Sequence, residues 1–515
     1  MTSSSAHPGS GPPIPPTTTG SPTTASATAA QPGQPPALAF WMSLSTRFLP
    51  FADAATKDLP LSRILRLSLF QISVGMAAVL LTGTLNRVMI VELSIPSWIV
   101  ALLVAVPVMA APFRALMGHR SDVHISVLGW RRTPFIWTGT MLMFGGLAIM
   151  PFALIVLSGD AGAPENLGKA AAAAAFLLTG TGMHMTQTAG LALATDLADE
   201  NVRPRIVALL YIMLLIGMAV SALVFGVLLT GFTYQALIGV IQGSAVAALI
   251  FNIIALWKQE PRQTAAMRAA QSTKDAPALS FRQSWANFTG TRETRRLLIT
   301  VALGSAAFSM QDVLLEPYGG EILALSVAQT TLLTAIFSLG MLAGFALAAQ
   351  RLMRGREPHR LAAWGILVGV FGFSTVIFAD PFHSAIMFRV GVCLIGLGAG
   401  LFSVCTLTAV MGVAAQTDSG IALGAWGAVQ ATAAGVAIAA GGMIADFFGG
   451  LAAQGALGPA LTMPSMGYGI VYHIEILLLF ATLAAIGPLA VHSPPPTDDD
   501  ATTRQHKFGL AAFPG

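Results

Sequence analysis

Charge is scarce in this sequence. Asp, Glu, Lys and Arg make up 10% of its 515 residues and hydrophobic residues 55%, whereas a soluble domain carries roughly 25% charged residues. So few charges cannot cover a water-facing surface of this size, and a soluble enzyme is excluded. The mean hydropathy of +0.72 calls for a solvent in which an apolar exterior costs nothing, which is lipid. Cysteine is almost missing. Cys393 and Cys405 lie in one apolar run, too far apart along a helix to bridge, which rules out a disulfide framework and a cysteine-type metal cluster. The first 46 residues contain no Asp, Glu, Lys or Arg. Built from Pro, Ser, Thr, Ala and Gly, residues 1–46 read as a disordered tail, and they lack the charged start and apolar core of a secretory signal. Residues 492–515 read as a second such tail.

What the chain has instead is a succession of apolar runs of about 20 residues, each long enough to cross a bilayer as a helix. They fall near Ile64 to Leu85, Pro96 to Leu116, Pro134 to Leu157, Gly168 to Thr195, Arg205 to Thr230 and Gln235 to Trp257. After a polar stretch come Leu297 to Glu316, Ser326 to Gln350, Leu361 to Ala379, Ser384 to Met411, Gly420 to Phe447 and Tyr468 to Val491. The expected organisation is an all-α integral membrane bundle of twelve helices, with a six-helix half over 47–257, a central loop over 258–296 and a second half over 297–491. Of the 27 lysines and arginines, 24 fall in the tails, the central loop and alternate short loops; Arg87, Lys169 and Arg389 are the exceptions. By the positive-inside rule both termini and the central loop face the cytoplasm.

The halves read as a parallel repeat. Glu92-Leu93 and a turn lead into the second run, and Glu321-Ile322 and a turn lead into the eighth. The loop after the second run carries Gly118, Asp122, Gly129, Arg131 and Arg132, a glycine, aspartate and paired-arginine pattern. Four-residue glycine spacings at Gly340/Gly344, Gly365/Gly369 and Gly396/Gly400 let helix backbones approach closely.

Polar groups at membrane depth are expensive and usually serve a purpose. His184 and Gln187 stand one helical turn apart in the fourth run, and a neutral imidazole there can either ligate a metal, including tetrapyrrole magnesium, or hydrogen-bond a neighbouring helix. His473, early in the twelfth run, is a second candidate nearer the interface. Asp312 in the seventh run and Arg389 in the tenth are the expected intramembrane ion pair. The first, fourth, fifth and eleventh runs hold no central carboxylate, which weighs against an ion-coupled carrier for a charged substrate. No nucleophile, base and oxyanion arrangement and no metal-ligand cluster is legible.

Several strings carry a more specific signal: Phe51 to Ala55, Arg66 to Gln71, Gly83 to Glu92, Gly118 to Pro134, His184 to Asp196, Gln311 to Glu321, Leu423 to Thr432 and Tyr472 to Ile476. These resemble the bacteriochlorophyll delivery (PucC/LhaA) family of the major facilitator superfamily, and the Phe51 segment and the Gly129 loop look closest to its LhaA light-harvesting complex assembly members. The resemblance implies two six-helix pseudo-repeats and a multi-pass protein of the inner, intracytoplasmic membrane of a purple phototrophic bacterium. It implies transient handling of bacteriochlorophyll, with light-harvesting antenna polypeptides, the reaction centre or pigment-synthesis enzymes as partners and no nucleic acid. A secondary transporter of a hydrophobic small molecule is the alternative.

Overall fold

A computed structural model describes residues 59–109, 126, 129–159, 162, 164–198, 203–260, 289–414 and 419–491. Its helices form twelve rods among these residues. In the first half they are α1 Leu61–Glu92, α2 Ser97–Met109, α3 Thr133–Leu157, α4 Glu165–Leu197, α5 Arg203–Leu228 and α6 Tyr234–Leu256. In the second they are α7 Arg292–Glu321, α8 Val327–Met353, α9 Pro358–Ala379, α10 Ala385–Ala414, α11 Ser419–Ala453 and α12 Met466–Val491. Ten are long and apolar enough to cross a membrane. The described part of α2 is shorter, and the 33-residue α4 is diluted by Ala, Gly and Thr. The chain is a multi-pass, all-α membrane protein. Both tails, most of the central loop, and Gly118 and Asp122 lie outside the described residues.

With lipid on one side and protein on the other, hydrophobicity does not distinguish the two faces of a helix, so side-chain size does. On α9, Ala362, Gly365, Gly369 and Gly372 face inward, while Trp364, Phe371 and Phe378 stand exposed. The expected glycine spacings are where helices meet. An added methyl at Gly344 would sit 2.5 Å from the Leu397 carbonyl oxygen, while Gly396 and Gly400 press in return on the carbonyls of Phe337 and Met341. Gly365 faces the Gly398 carbonyl at 2.8 Å.

The packing repeats six helices later. α3 packs on α4 as α9 does on α10, α6 on α3 as α12 on α9, and α1 on α5 as α7 on α11. The halves meet through α2 against α11 and α5 against α8, two contacts that exchange under the same relation. Even the turns match: Ser94 after α1 and Ala324 after α7 both take positive φ, 52° and 51°. Each is followed by the same long closure, with Ile95 donating to the Met89 carbonyl and Leu325 to that of Gly319, both at 2.9 Å.

Two helices run past their expected ends. α1 continues beyond Leu85 to Glu92 and α7 beyond Glu316 to Glu321. Both change geometry on the way: α1 is π-helical over Val79–Thr84 and Val88–Glu92, and α7 tightens to a 3-10 turn over Met310–Val313. Such segments interrupt the regular ladder and often mark functional positions. Here the two interruptions meet.

Candidate functional site

The site is the junction where α1 and α7 face each other across the halves, on the side carrying the loop between α1 and α2. That face is poor in arginine. Asn86 donates through Nδ2 to the Val313 carbonyl at 2.9 Å, bonding α1 to the 3-10 turn of α7. The hydroxyls of Thr84 and Thr331 lie 3.5 Å apart. Arg87, only 4% exposed, pairs through Nη1 with Glu92 and donates through Nη2 to the Leu325 carbonyl at 3.3 Å. Its guanidinium lies against Gly320, where a Cβ would meet Nε and Nη2 at 3.1 Å. Glu316 and Glu321 are within electrostatic reach of the same cation. The buried Glu316 accepts from the Thr334 hydroxyl, and Gly83 leaves the room, since a Cβ there would touch Glu316 Oε1 at 2.5 Å.

A second tie joins α2 to α11. The backbone N–H of Trp98 donates to Asp446 Oδ2 at 2.7 Å, and α11 comes close enough because Gly442 lies on the Ser97 carbonyl. Beside it is a cavity of about 350 Å³ lined by Ser94, Ile95, Glu321, Asp446, Gly450 and Tyr468. Tyr468 donates to Glu321 Oε2 at 2.8 Å. The arrangement is a polar latch between two bodies, with one buried cation serving carboxylates from both.

The opposite, arginine-rich end is tied within the first half. Arg63 and Gln259 bond reciprocally, Nη2 to the Gln259 carbonyl at 2.6 Å and Gln259 Nε2 to the Arg63 carbonyl at 3.2 Å. Glu260, just beyond α6, accepts from the N–H groups of Arg131, Arg132 and Thr133 at 2.5–2.9 Å. That carboxylate caps α3, whose first turn would otherwise leave donors unmet. Of the expected loop signature, Gly129 takes φ 82° in the turn, and Arg132 is buried and bridges to Asp196 Oδ2 at 2.9 Å. The corresponding α9 is capped by its own Glu357, which accepts from the His359 and Arg360 N–H groups at 2.9 and 2.7 Å.

The matching family decides which proteins these geometries belong with. Residues 84–493 match the profile of the PUCC protein family. A protein of Rhodobacter capsulatus described as lying in the puhA-bchM intergenic region is 52% identical over 92% of this chain and 98% of its own length. Protein PucC of Rhodovulum sulfidophilum is 55% identical over 78% of this chain and 89% of its own. The chain belongs to the PUCC family. Its fold is that of major facilitator transporters: the nucleoside transporter NupG aligns over 82% of this PUCC-family chain and 99% of its own, with TM-score 0.58 and 14% identity. A bacterial homologue of ferroportin aligns over 84% and 99%, with TM-score 0.59 and 13% identity.

Within this PUCC-family fold the sequence-derived candidates scatter. His184 and Gln187 lie on the stripe of α4 that faces α2 and α1, between Gly180 against Pro107 and Gly190 against Phe70, and both ring nitrogens of His184 are buried. His473 is on the outer face of α12, with Leu477 and Phe480 also exposed. The expected Asp312–Arg389 bridge is a correction: the two form no ion pair among the described residues. Asp312 sits on the 3-10 turn, accepts from Gln311 Nε2 at 2.9 Å and lies within electrostatic reach of Glu475. Arg389 is half-buried, beside the inward-facing Phe388. The 3-10 turn that carries Asp312 packs against α11 and α12 as well as α1 and α2. Sequence reasoning gave no junction role to Arg87, Glu316 or Asp446; their signal was charge at or just past the ends of apolar runs.

Proposed function

We propose that this PUCC-family protein is a membrane assembly factor of photosynthetic purple bacteria. It delivers bacteriochlorophyll to light-harvesting antenna polypeptides or assists their insertion and assembly, and it is not an enzyme. The observation that carries the reading is kinship with a PucC protein over 78% of the chain and with a protein of the puhA-bchM intergenic region over 92% of it. The family kinship supports an inner, intracytoplasmic membrane location, and the arginine distribution supports both termini in the cytoplasm.

The residues offer two places for a magnesium tetrapyrrole as cargo. His473 is exposed on the outer face of α12, and its Nδ1 lies 2.6 Å from the Gly469 carbonyl oxygen. A carbonyl cannot donate, so Nδ1 carries a proton, which leaves Nε2 of the neutral tautomer as the free lone pair, the pattern usual for a metal-ligating histidine. Nothing lies within 4 Å of a Cβ built at Gly469, so a flat ring has room beside the imidazole. His184, with Gln187 near it, is enclosed and would serve only after α4 parts from α1 and α2. His473 is therefore the stronger ligand candidate. Antenna polypeptides, the reaction centre and pigment-synthesis enzymes are the partners this role requires.

A deletion strain complemented with wild type, His473→Leu or His184→Leu tests it. The wild type restores antenna absorption and co-purifies with pigment in mild detergent, and His473→Leu accumulates normally but loses pigment. Normal antenna in the deletion strain overturns the assembly role. The transporter fold favours a second reading, carriage of a hydrophobic small molecule. Uptake or efflux by pigment-free vesicles supports that reading.

A further inference from the structure

The last helix of each half keeps one register. Leu237, Val240, Ile241, Ser244 and Ala248 of α6 are buried in the same order and at the same spacing as Tyr468, Val471, Tyr472, Glu475 and Leu479 of α12, in keeping with α6 packing on α3 as α12 does on α9. That register aligns the outer faces as well. Val246 falls with Leu477, both well exposed, and Gln242 falls with His473, both exposed. Each half therefore presents a polar side chain outward at the same position of the repeat.

Gln242 lies within one turn of the middle of α6, a helix about as long as the hydrocarbon layer is thick. An amide at that depth has no water to bond and is expensive to leave unmatched. No described residue hydrogen-bonds it, so its partner must come from outside the chain. There is room for one. Gly239 and Gly243 flank the amide on the exposed face, and nothing lies within 4 Å of a Cβ built on either. On α9 the glycines turn inward and the aromatic rings outward; beside Gln242 that order is reversed. The helix carries no charge, and Val246 and Ile250 continue the exposed face as apolar surface.

Such a face fits a broad apolar ring with a hard metal at its centre. A neutral amide oxygen suits magnesium, which prefers oxygen donors, and it brings no charge into lipid. Glycines can also admit a second helix, but the repeat favours the ring. The equivalent position holds His473, whose Nδ1 is held by the Gly469 carbonyl, so both positions offer a neutral lone pair to the same side of the fold's repeat. We infer that Gln242 is the axial ligand of a further magnesium-tetrapyrrole site on the outer face of α6, the counterpart of His473 on α12. The inference rests on the pigment-cargo reading above and adds to it a second berth, in the other half and with a different donor atom. The amide is the weaker base, so its pigment exchanges with pigment dissolved in the bilayer, while the imidazole keeps its own through purification.

The test uses the full-length protein from a pigment-free host, in lipid nanodiscs, titrated with bacteriochlorophyll and in parallel with its magnesium-free pheophytin. Bound pigment per chain is counted, and resonance Raman reads the magnesium coordination. The wild type is expected to take up two bacteriochlorophylls per chain and no pheophytin. Gln242→Leu and His473→Leu each take up one, and the double variant none. Gln242→His restores two, and Gly243→Phe, which fills the space but keeps the amide, takes up one. Uptake unchanged in Gln242→Leu and Gly243→Phe overturns the inference and leaves the His473 reading standing; a wild type that takes up no pigment overturns both. A loss in Gln242→Leu that Gln242→His does not restore also overturns it. So does equal uptake of the magnesium-free ring, or a shift from dimer to monomer in Gln242→Leu at constant pigment, which would make this face a helix interface.

Discussion

Arg87 gathers more of the junction than any other single side chain described. It binds Glu92, reaches the Leu325 carbonyl of the other half and stands within reach of Glu316 and Glu321. Removing one partner of a buried pair leaves the other uncompensated, so Arg87→Met should cost about 3–5 kcal/mol. Arg87→Lys keeps the charge but loses the planar fork that addresses Glu92 and the carbonyl together, and should fall between. Thermal unfolding in detergent measures both. Arg87→Met combined with Glu316→Gln should be less damaging than the sum of its parts; strict additivity would mean that Glu316 answers to Thr334 alone. None of this was legible in the sequence beyond the oddity of an arginine on the arginine-poor side. Hydropathy ends the first run at Leu85, because Asn86 and Arg87 look like a border. Their partners across the junction, the Val313 and Leu325 carbonyls, lie more than two hundred residues away, and no local pattern announces them.

At the scale of the helix, the two caps at the arginine-rich end differ in origin. α3 borrows Glu260 from the end of α6, whereas α9 uses the adjacent Glu357. Burial would raise the Glu357 carboxyl, but the His359 side chain and the His359 and Arg360 N–H groups outweigh it and hold the carboxyl below its usual range. A carboxyl depressed in the folded state contributes stability that is present above the unfolded value and lost as pH falls through the folded one. Glu357→Gln should therefore lower stability at neutral pH by about 1 kcal/mol, the scale of a helix cap, and match the wild type in acid. Unfolding curves at the two pH values check this, and an equal gap at both would assign the loss to packing. The spans themselves were legible, since run length in a bilayer is nearly a measurement of thickness. The small-residue spacings were legible as packing devices too, and α8 against α10 bears them out. The 3-10 turn was not, because Ser309 to Val313 holds neither Gly nor Pro, and the break follows from contacts with four other helices.

For the whole molecule, the repeat was readable from the paired Glu-Leu and Glu-Ile turns, and it reappears in packing and in backbone torsions. Orientation rests on arginine placement, and reporter fusions test it. Fusions after Gln263 and Pro358 should report cytoplasm and one at Gly458 the opposite face. A cytoplasmic signal at Gly458 would remove the twelve-span arrangement. Which cargo the molecule handles was legible only through resemblance, because composition fixes the solvent and spacing fixes the helices, while neither encodes a ligand.

Glu260 has one more consequence. It is the last described residue before the stretch that leads to the second half, and three N–H groups of the α3 entry grip its carboxylate. A pull along the chain from beyond Glu260 is thus delivered to the first turn of α3 and through Arg132 to α4, before it can unwind α6. The grip works as strain relief does on a cable: the tether is fastened ahead of the terminal, so traffic along it loads the six-helix body as a unit.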